Sequence, residues 1–349
     1  MINFEAVNKR FPNGTTAVHD LSLEMEQGGV TVLVGSSGCG KTTTLRMINR
    51  MVEPTSGTIR VGGKDVLSQD AAELRRSIGY VIQQAGLFPH RTIIDNIATV
   101  PLLLGWGRKK ARSRAAELLE TVGLPADSGR RYPHQLSGGQ QQRVGVARAL
   151  AADPPVLLMD EPFGAVDPVV RTQLQDELLR LQKELNKTIV FVTHDIDEAV
   201  RLGDRIAVFR TGGHLVQCAP PEELLARPAD PFVADFLGAE RGLKLLSLST
   251  LAGVPQGPAP AGGRWELAVD ASGVPLGWRD KDAGDTATLL PVRPLRDTDS
   301  LLSALNESVA SPAGLVARVD ADGILTGVTA REEIHDRAGT AHSTARAAA

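Results

Sequence analysis

Four stretches of the chain are almost entirely apolar. They lack the alternation of apolar and polar residues that is typical of a strand with one solvent-exposed face. They are VTVLVG (residues 30–35), VLLMDE (156–161), TIVFVTHD (188–195) and RIAVFR (205–210). Short apolar runs of this kind are typical of strands buried on both faces, as in a parallel sheet covered by helices. We therefore predict an α/β core with a mostly parallel sheet.

The sequence around these runs has two other periodicities. Near the start, INFEAVNKRF, TAVHDLSLEM and GTIRVGGKDVL alternate apolar and polar residues between Gly and Pro, which predicts an antiparallel β-subdomain. Residues 171–185 carry leucines at 174, 178, 181 and 185, the spacing of one buried helix face. Helices of this type are expected to cover the sheet and to form a helical subdomain.

The composition of the chain changes after Gly238, where Ala, Gly, Pro and Asp become the most common residues. AVDASGVPLGW (268–278) and RVDADGILTGV (318–328) share five identities at a constant offset, each with an Asp-x-x-Gly turn between two strands. A duplicated hairpin module explains these identities better than a chance match of turn residues. The predicted organisation is a main domain over 1–238, a linker over 239–263, a small α+β domain of paired modules over 264–336, and a disordered tail over 337–349.

Composition narrows the classes of function. The chain has 349 residues, enough for about two domains, and a formal charge of −3, with no basic run longer than GRKKARSR (107–114). A nucleic-acid partner is therefore not expected. Cys39 and Cys218 lack metal-ligand spacing, which favours a reducing compartment. Neither a signal peptide nor an apolar run of about 18 residues is visible, so the sequence predicts a soluble, cytoplasmic chain.

A phosphate-binding loop follows the first apolar run. GSSGCGKT (35–42) fits G-x-x-x-x-G-K-[S/T] between a predicted strand and a predicted helix. In such a loop the backbone N–H groups and the helix N-terminus bind phosphates, the lysine reaches the outer phosphates and the hydroxyl ligates Mg²⁺, which predicts an ATP–Mg²⁺ site. Cys39 is expected to contribute its backbone; a catalytic thiol is the alternative. The predicted contact residues are Gly35, Ser36, Ser37, Gly38, Cys39, Gly40, Lys41, Thr42 and Thr43.

Two adjacent acids end the second apolar run. A carboxylate buried there needs a cation, and Mg²⁺ on a bound triphosphate would supply one, so Asp160 and Thr42 are the predicted metal ligands. Strand alternation would direct Glu161 to the opposite side, free to act as a general base on water. The alternative is that both acids only cap the turn PFGAVDP.

A second glycine-fronted helix start lies at LSGGQ (136–140). Ser137 and Gln140 fit a capping box, in which each side chain satisfies a backbone N–H at the helix N-terminus. The box leaves Gly138 and Gly139 unexplained, because glycine costs about 1 kcal/mol relative to alanine in a helical turn. Glycine is used where a backbone must approach something closely. Since one P-loop holds one nucleotide's phosphates, this second site needs another phosphate.

LSGGQ shortly before VLLMDEP and downstream of a P-loop resembles the ATP-binding cassette (ABC) family of transport ATPases over residues 1–238. The resemblance implies that Phe11 stacks on adenine and that His194 contacts the γ-phosphate. It implies that Gln83, rather than its neighbour Gln84, senses Mg²⁺ and the attacking water. Asp167 would lie in the loop that crosses a dimer interface. Ser137, Gly138, Gly139 and Gln140 would bind the ATP of the opposite protomer, with Glu161, His194 and Gln83 catalytic.

One cassette without a membrane span resembles the separate ATPase subunit of an importer, a dimer on the cytoplasmic membrane face that works with permease subunits and, indirectly, with a solute-binding protein. In the family the segment after Gln83 receives a permease helix. Leu87, Phe88 and Trp106 would either form that dock or be buried in the helical subdomain. Residues 228–248 and the paired modules are similar to importers of glycine betaine, choline and related osmoprotectants, whose tails carry paired CBS modules.

The tail departs from the nucleotide-binding pattern of CBS modules. That pattern has Thr or Ser and then an acid after the last glycine, where the chain has Ala330 and Glu333 in one copy and Asp280 and Ala283 in the other. The sequence thus does not support adenosine binding by the tail, and sensing of ionic strength is a separate hypothesis. Importers of polyamines, sulfate or sugars are the alternative transporters, and an ABC ATPase acting on DNA or ribosomes is the alternative outside transport.

Overall fold

A computed structural model describes residues 1–82, 86–164, 166–259, 263–283 and 288–337, with the backbone alone at 168–170. The chain divides into two compact units, Met1–Pro221 and Glu222–Ala349. This division lies before the predicted boundary at 238, because residues 222–238 form short helices that cluster with the second unit. The predicted disordered tail lies outside the described residues except for residue 337.

The described secondary structure of the first unit alternates strands and helices. Its strands are β1 (Ile2–Arg10), β2 (Thr16–Met25), β3 (Val30–Gly35), β4 (Ser56–Val61), β5 (Lys64–Asp65), β6 (Ile78–Val81), β7 (Val156–Asp160), β8 (Thr188–Val192), β9 (Arg205–Arg210) and β10 (His214–Ala219). Its helices are α1 (Lys41–Ile48), α2 (Ala71–Ser77), α3 (Ile93–Ile97), α4 (Thr99–Leu103), α5 (Arg108–Thr121), α6 (Gly138–Leu150), α7 (Pro168–Leu185) and α8 (Ile196–Leu202).

Within the described residues these strands form two sheets. The antiparallel sheet has the order β2-β1-β4-β5, and the larger sheet has the order β10-β9-β3-β8-β7-β6, parallel except for β10 at its edge. Strand β3 is central and buried along its whole length, as its unbroken apolar run predicts. Because the carboxyl ends of parallel strands share one sheet edge, the loops after β3, β7 and β8 lie side by side.

Helices complete the first unit. The predicted amphipathic helix is confirmed as α7, whose Leu174, Leu178 and Leu181 are buried. Helices α3, α5 and α6 pack on one another as a helical subdomain. The fold class expected from the sequence, a P-loop core with an antiparallel β-subdomain and a helical subdomain, is therefore confirmed.

The second unit contains the duplicated hairpins. Its elements are α9 (Pro221–Ala226), which begins at the boundary, then α10 (Pro231–Leu237), α11 (Arg241–Leu248), β11 (Trp265–Val269), β12 (Pro275–Asp280), α12 (Leu301–Ala310), β13 (Leu315–Val319), β14 (Leu325–Ala330) and a helix over 331–337. The predicted linker 239–263 contains secondary structure and buried side chains. It contains α11 and the buried Leu251 and Val254, and Gly257 pairs with Val328 through two backbone hydrogen bonds.

The two hairpins have the same register, residue for residue. Leu267 pairs with Trp278 as Ala317 pairs with Val328, and these four residues form one apolar cluster. In each turn the Asp side chain, Asp270 or its counterpart, accepts hydrogen bonds from the backbone N–H groups two and four residues ahead. The structure therefore confirms the internal repeat.

Candidate functional site

The P-loop joins β3 to α1 in a backbone shape that requires glycine. Gly35 has φ 149° and Gly40 has φ 99°. A Cβ atom on Gly40 would lie 2.1 Å from the carbonyl oxygen of Ala17 on β2. Gly40 is also the N-cap of α1 and provides no side-chain cap. The first N–H groups of α1 are therefore available to an anion at the positive end of the helix.

Lys41 lies over the carbonyl oxygens of this loop. Its side chain is buried, with the residue 5% exposed, and Nζ donates to Gly35 O at 2.7 Å and to Ser36 O at 2.9 Å. The buried thiol of Cys39 lies 3.6 Å from the same ammonium. A thiol without solvent access cannot attack a substrate, so the structure favours the backbone role of Cys39 over a catalytic one.

Thr42 and Asp160 meet across the sheet edge. Thr42 Oγ1 donates to Asp160 Oδ1 at 2.9 Å, and the guanidinium of Arg46 lies 3.7 Å from Asp160 Oδ2. Asp160 is 6% exposed, and burial raises the pKa of its carboxyl, while the bond from Thr42 and the charge of Arg46 act in the opposite direction. A buried carboxylate beside a hydroxyl is a set of oxygen ligands suited to Mg²⁺.

Glu161 adopts a left-handed backbone conformation directly after β7. Its φ is 45°, and its N–H donates to Val192 O at 3.0 Å. Such a conformation costs a non-glycine residue about 1–3 kcal/mol and concentrates at functional sites. Asp160 contacts Thr42 and Glu161 contacts His194, and because Glu161 lies outside β7, strand alternation does not set its direction. Glu161 Oε2 lies 3.4 Å from Nδ1 of His194, whose side chain is 63% exposed.

The predicted second glycine site begins α6 with an open N-terminus. The capping box is confirmed, since Ser137 Oγ accepts from Gln140 N at 3.3 Å and Ser137 N donates to Gln140 Oε1 at 3.0 Å. A Cβ atom on the exposed Gly138 would meet nothing within 4 Å. Among the described residues, no hydrogen bond or ion pair joins residues 137–140 to the P-loop. Within the described part of the chain, no contact therefore requires glycine at position 138.

The comparison with known proteins decides the family. The family model "ABC transporter" matches residues 18–164. The osmoprotectant import ATP-binding protein OsmV of Salmonella typhimurium is 45% identical over 366 residues, covering 96% of each chain. The chain belongs to the family of ABC transporter ATP-binding proteins.

Other relatives of this ABC protein match a smaller share of the chain. The glycine betaine/carnitine/choline transport ATP-binding protein OpuCA of Bacillus subtilis is 54% identical over 241 residues. That match covers 69% of this chain and 63% of OpuCA, less than two thirds of the relative's length. Among solved structures, a dimeric post-hydrolysis state of the ATP-binding cassette MJ0796 with ADP and Pi is 34% identical, with a TM-score of 0.58, and covers 63% of this chain and 98% of that chain.

Of the remaining predicted residues, Phe11 and Asp167 lie in the described part of the chain. Phe11 follows β1, is half-buried, and has Lys9 Nζ 5.1 Å from its ring centroid. Asp167 is exposed directly before α7, and its carbonyl oxygen accepts from Arg171 N at 2.8 Å. Gln83 and Gln84 lie outside the described residues. No helix in the described part of the chain is long and apolar enough to cross a membrane.

Two residues of the site were not predicted from the sequence. Tyr80 on β6 and Arg46 on α1 both face Asp160, and the pKa of the Tyr80 hydroxyl is raised by burial and by the Asp160 charge. Tyr80 lies three residues before Gln83 in a strand paired with β7. Tyr80 lies near Asp160 because β6 and β7 are neighbours in the sheet, and local sequence patterns do not show the order of the strands.

A substitution at Gly40 tests how strictly the P-loop depends on its backbone. Gly40→Ala is expected to lower the free energy of unfolding by about 1–3 kcal/mol or more and to weaken ATP binding, because the new Cβ collides with Ala17. Gly38→Ala is the matched control, since its φ is 77° but a Cβ there meets nothing within 4 Å. It is expected to cost only about 1–2 kcal/mol. Thermal unfolding and nucleotide titration of both variants measure the difference, and equal losses would contradict this account of the loop.

Proposed function

We propose that the chain is the ATP-hydrolysing subunit of an ABC importer for quaternary ammonium osmoprotectants. One observation carries the ATPase assignment: the pairs Thr42–Asp160 and Glu161–His194 meet at the sheet edge beside the P-loop. Thr42 and Asp160 provide oxygen atoms that can bind a cation, and Glu161 and His194 form an acid–base pair. The attack of water on a bound triphosphate requires both.

Binding of ATP follows from the loop geometry. The N–H groups of residues 35–43 and the Lys41 ammonium would hold the phosphates, and Phe11 would stack on the adenine. Thr42 and Asp160, together with Gln83 of the undescribed segment, would hold Mg²⁺ with oxygen atoms of the phosphates. When bound, the metal would neutralise negative charge on the transferred phosphoryl group.

Hydrolysis would use the acid–base pair. Glu161, held in position by its left-handed backbone, would accept a proton from the attacking water. His194 would contact the γ-phosphate while its Nδ1 lies beside the Glu161 carboxylate.

The active form is proposed to be a head-to-tail homodimer. The open N-terminus of α6, with a glycine that no contact among the described residues requires, would bind the γ-phosphate held by the partner. Ser137, Gly138, Gly139 and Gln140 would thus complete the opposite site, and Asp167 would lie in the loop that crosses between protomers. The dimeric MJ0796 structure with ADP and Pi, a relative in fold and sequence, supports this arrangement.

The permease is proposed to dock on a groove of the first unit. A cavity of about 260 Å³ is lined by Ile82, Phe88, Val100 and Arg148, among others. Phe88 is 38% exposed there, whereas Leu87 and Trp106 are half-buried. This groove, which Arg75 and Arg76 also line, would receive a cytoplasmic helix of a membrane subunit, and that contact would hold the chain at the cytoplasmic face of the membrane. A solute-binding protein outside would contact that permease.

The substrate class rests on the relatives. OsmV, OpuCA and the glycine betaine uptake protein YehX of Escherichia coli, which is 54% identical over 253 residues, are all named for osmoprotectants. The paired modules are proposed to form a regulatory domain related to CBS modules. Glu333, which stands at the acid position of the nucleotide pattern, accepts a hydrogen bond from Ala330 N at 3.0 Å. Asp280, which stands at the Thr/Ser position of the other copy, accepts one from Arg264 at 2.6 Å.

Uptake measurements in the source organism test the proposed substrate. Disrupting the gene is expected to remove most high-osmolarity uptake of labelled glycine betaine, carnitine or choline, and to leave putrescine and sulfate uptake unchanged. Reintroducing the unchanged gene should restore uptake, and Glu161→Gln should not. Loss of putrescine or sulfate uptake alone would contradict the substrate assignment.

A further inference from the structure

Behind the candidate site, helices α7 and α8 enclose a carboxylate to which the proposed mechanism gives no role. The Glu198 side chain is only 8% exposed. Thr193 Oγ1 donates to Glu198 Oε2 at 2.7 Å, and Gln175 Nε2 donates to Glu198 Oε1 at 3.3 Å. Burial raises the pKa of this carboxyl, with the bond from Thr193 opposing the shift. A group that is costly to bury and held by two side chains is a fixed point between the helices.

On one side this fixed point holds the residue before His194. Thr193 Oγ1 donates to Glu198 and also accepts from Asp195 N at 3.0 Å, so its hydroxyl bridges the turn that carries His194. His194 in turn lies 3.4 Å from the Glu161 carboxylate. The position of the imidazole therefore depends on how Glu198 holds Thr193.

On the other side the cluster reaches the loop before α7. Arg171 lies one helical turn from Gln175, and its Nη2 donates to Val166 O at 3.3 Å. Its Nη1 lies 3.7 Å from Asp195 Oδ2, and its Nε lies 3.8 Å from Glu198 Oε1. One guanidinium therefore contacts the loop that ends at Asp167, the cap of α8 and the buried Glu198.

The Arg171 guanidinium does not use all of its hydrogen-bond donors in this arrangement. Its Nε is buried and makes no hydrogen bond among the described residues, although the Glu198 carboxylate is its neighbour. A displacement of the loop at Val166 that moved Arg171 by less than 1 Å would bring Nε within hydrogen-bond distance of Glu198. The cluster can thus respond to the position of the loop.

We propose that Arg171 and Glu198 are positioning residues that link the Val166–Asp167 loop to His194. The link runs from Val166 O to Arg171, then to Glu198, to Thr193 and to the imidazole beside Glu161. It deepens the proposed ATPase function and rests on it, because Asp167 is the residue proposed to lie in the loop that crosses to the partner. Engagement of that loop by a partner would thereby favour the hydrolytic position of His194 in the same chain.

Steady-state ATP hydrolysis by the full-length chain tests this link. Arg171→Gln and Glu198→Gln are each expected to lower kcat about 10-fold and to leave KM for ATP within about twofold. The double variant is expected to be no slower than the slower single variant, because the two residues act as a unit. Arg201→Gln is the matched control, since Arg201 forms an exposed ion pair with Asp176 between the same two helices at 2.6 Å. Its kcat is expected to equal that of the unchanged chain.

Several outcomes would overturn the proposal. These are unchanged kcat in both single variants, an additive loss in the double variant, a raised KM with unchanged kcat, or an equal loss in Arg201→Gln. If Arg171→Gln does not fold, Arg171→Lys takes its place: it keeps the charge but not the fork that contacts Val166 and Glu198 together, and it too is expected to be slow. Failure of the unchanged chain to hydrolyse ATP would overturn the proposed function itself, and this inference with it.

Discussion

Replacing Glu161 with glutamine is expected to lower ATP hydrolysis by a factor of about 10²–10⁴ while ATP binding stays close to that of the unchanged chain. The amide has the same shape as the carboxylate and leaves the β7 strand and the P-loop intact. It cannot accept the proton of the attacking water. Phosphate release and nucleotide titration of the same preparation measure the two quantities.

A control at a distant carboxylate separates this effect from a general change of charge. Glu53→Gln makes the same replacement in an exposed ion pair with Arg50 and is expected to leave hydrolysis unchanged. Hydrolysis by Glu161→Gln at the unchanged rate would show that another group activates water. That result would remove Glu161 from the role of general base.

Replacing Gly138 with aspartate is expected to lower hydrolysis by a factor of about 100 or more and to leave ATP binding by the single chain unchanged. The new side chain has room, because a Cβ there meets nothing within 4 Å. A carboxylate at a helix N-terminus stabilises an isolated helix by about 0.3–1 kcal/mol, so folding should not suffer. Against a partner's γ-phosphate, the same charge is repelled by several kcal/mol.

The same substitution at another helix start provides the matched control. Gly107 is the N-cap of α5, and a Cβ on it also meets nothing within 4 Å. Gly107→Asp is expected to leave hydrolysis unchanged. Unchanged hydrolysis in Gly138→Asp would exclude a phosphate at this helix, whereas loss of ATP binding with hydrolysis would place the helix beside its own P-loop.

Much of the fold could be predicted because its signals are local. The apolar runs 30–35 and 205–210 coincide with β3 and β9, since strands buried on both faces need no alternation. Ser137 and Gln140 could be recognised as a capping box because the two partners lie three residues apart. The repeated turns at Asp270 and Asp320 were visible for the same reason.

The features of the fold and site that could not be predicted depend on contacts between distant parts of the chain. The approach of Tyr80 and Arg46 to Asp160 follows from the strand order, which no local pattern contains. The link between Arg171 and Glu198 follows from the packing of α7 on α8. The left-handed backbone of Glu161 and the burial of Val254 in a segment predicted to be a linker likewise come from their surroundings.

Two chains are proposed to enclose ATP between the P-loop of one and the α6 N-terminus of the other. The most direct test is the mass in solution, by analytical ultracentrifugation, of Glu161→Gln with and without ATP and Mg²⁺, and of the same chain carrying Gly138→Asp as well. The expected result is a monomer without ATP, a dimer with ATP, and a monomer under both conditions once Gly138→Asp is added. A chain that stays monomeric with ATP bound, or a dimer that Gly138→Asp leaves intact, would contradict it.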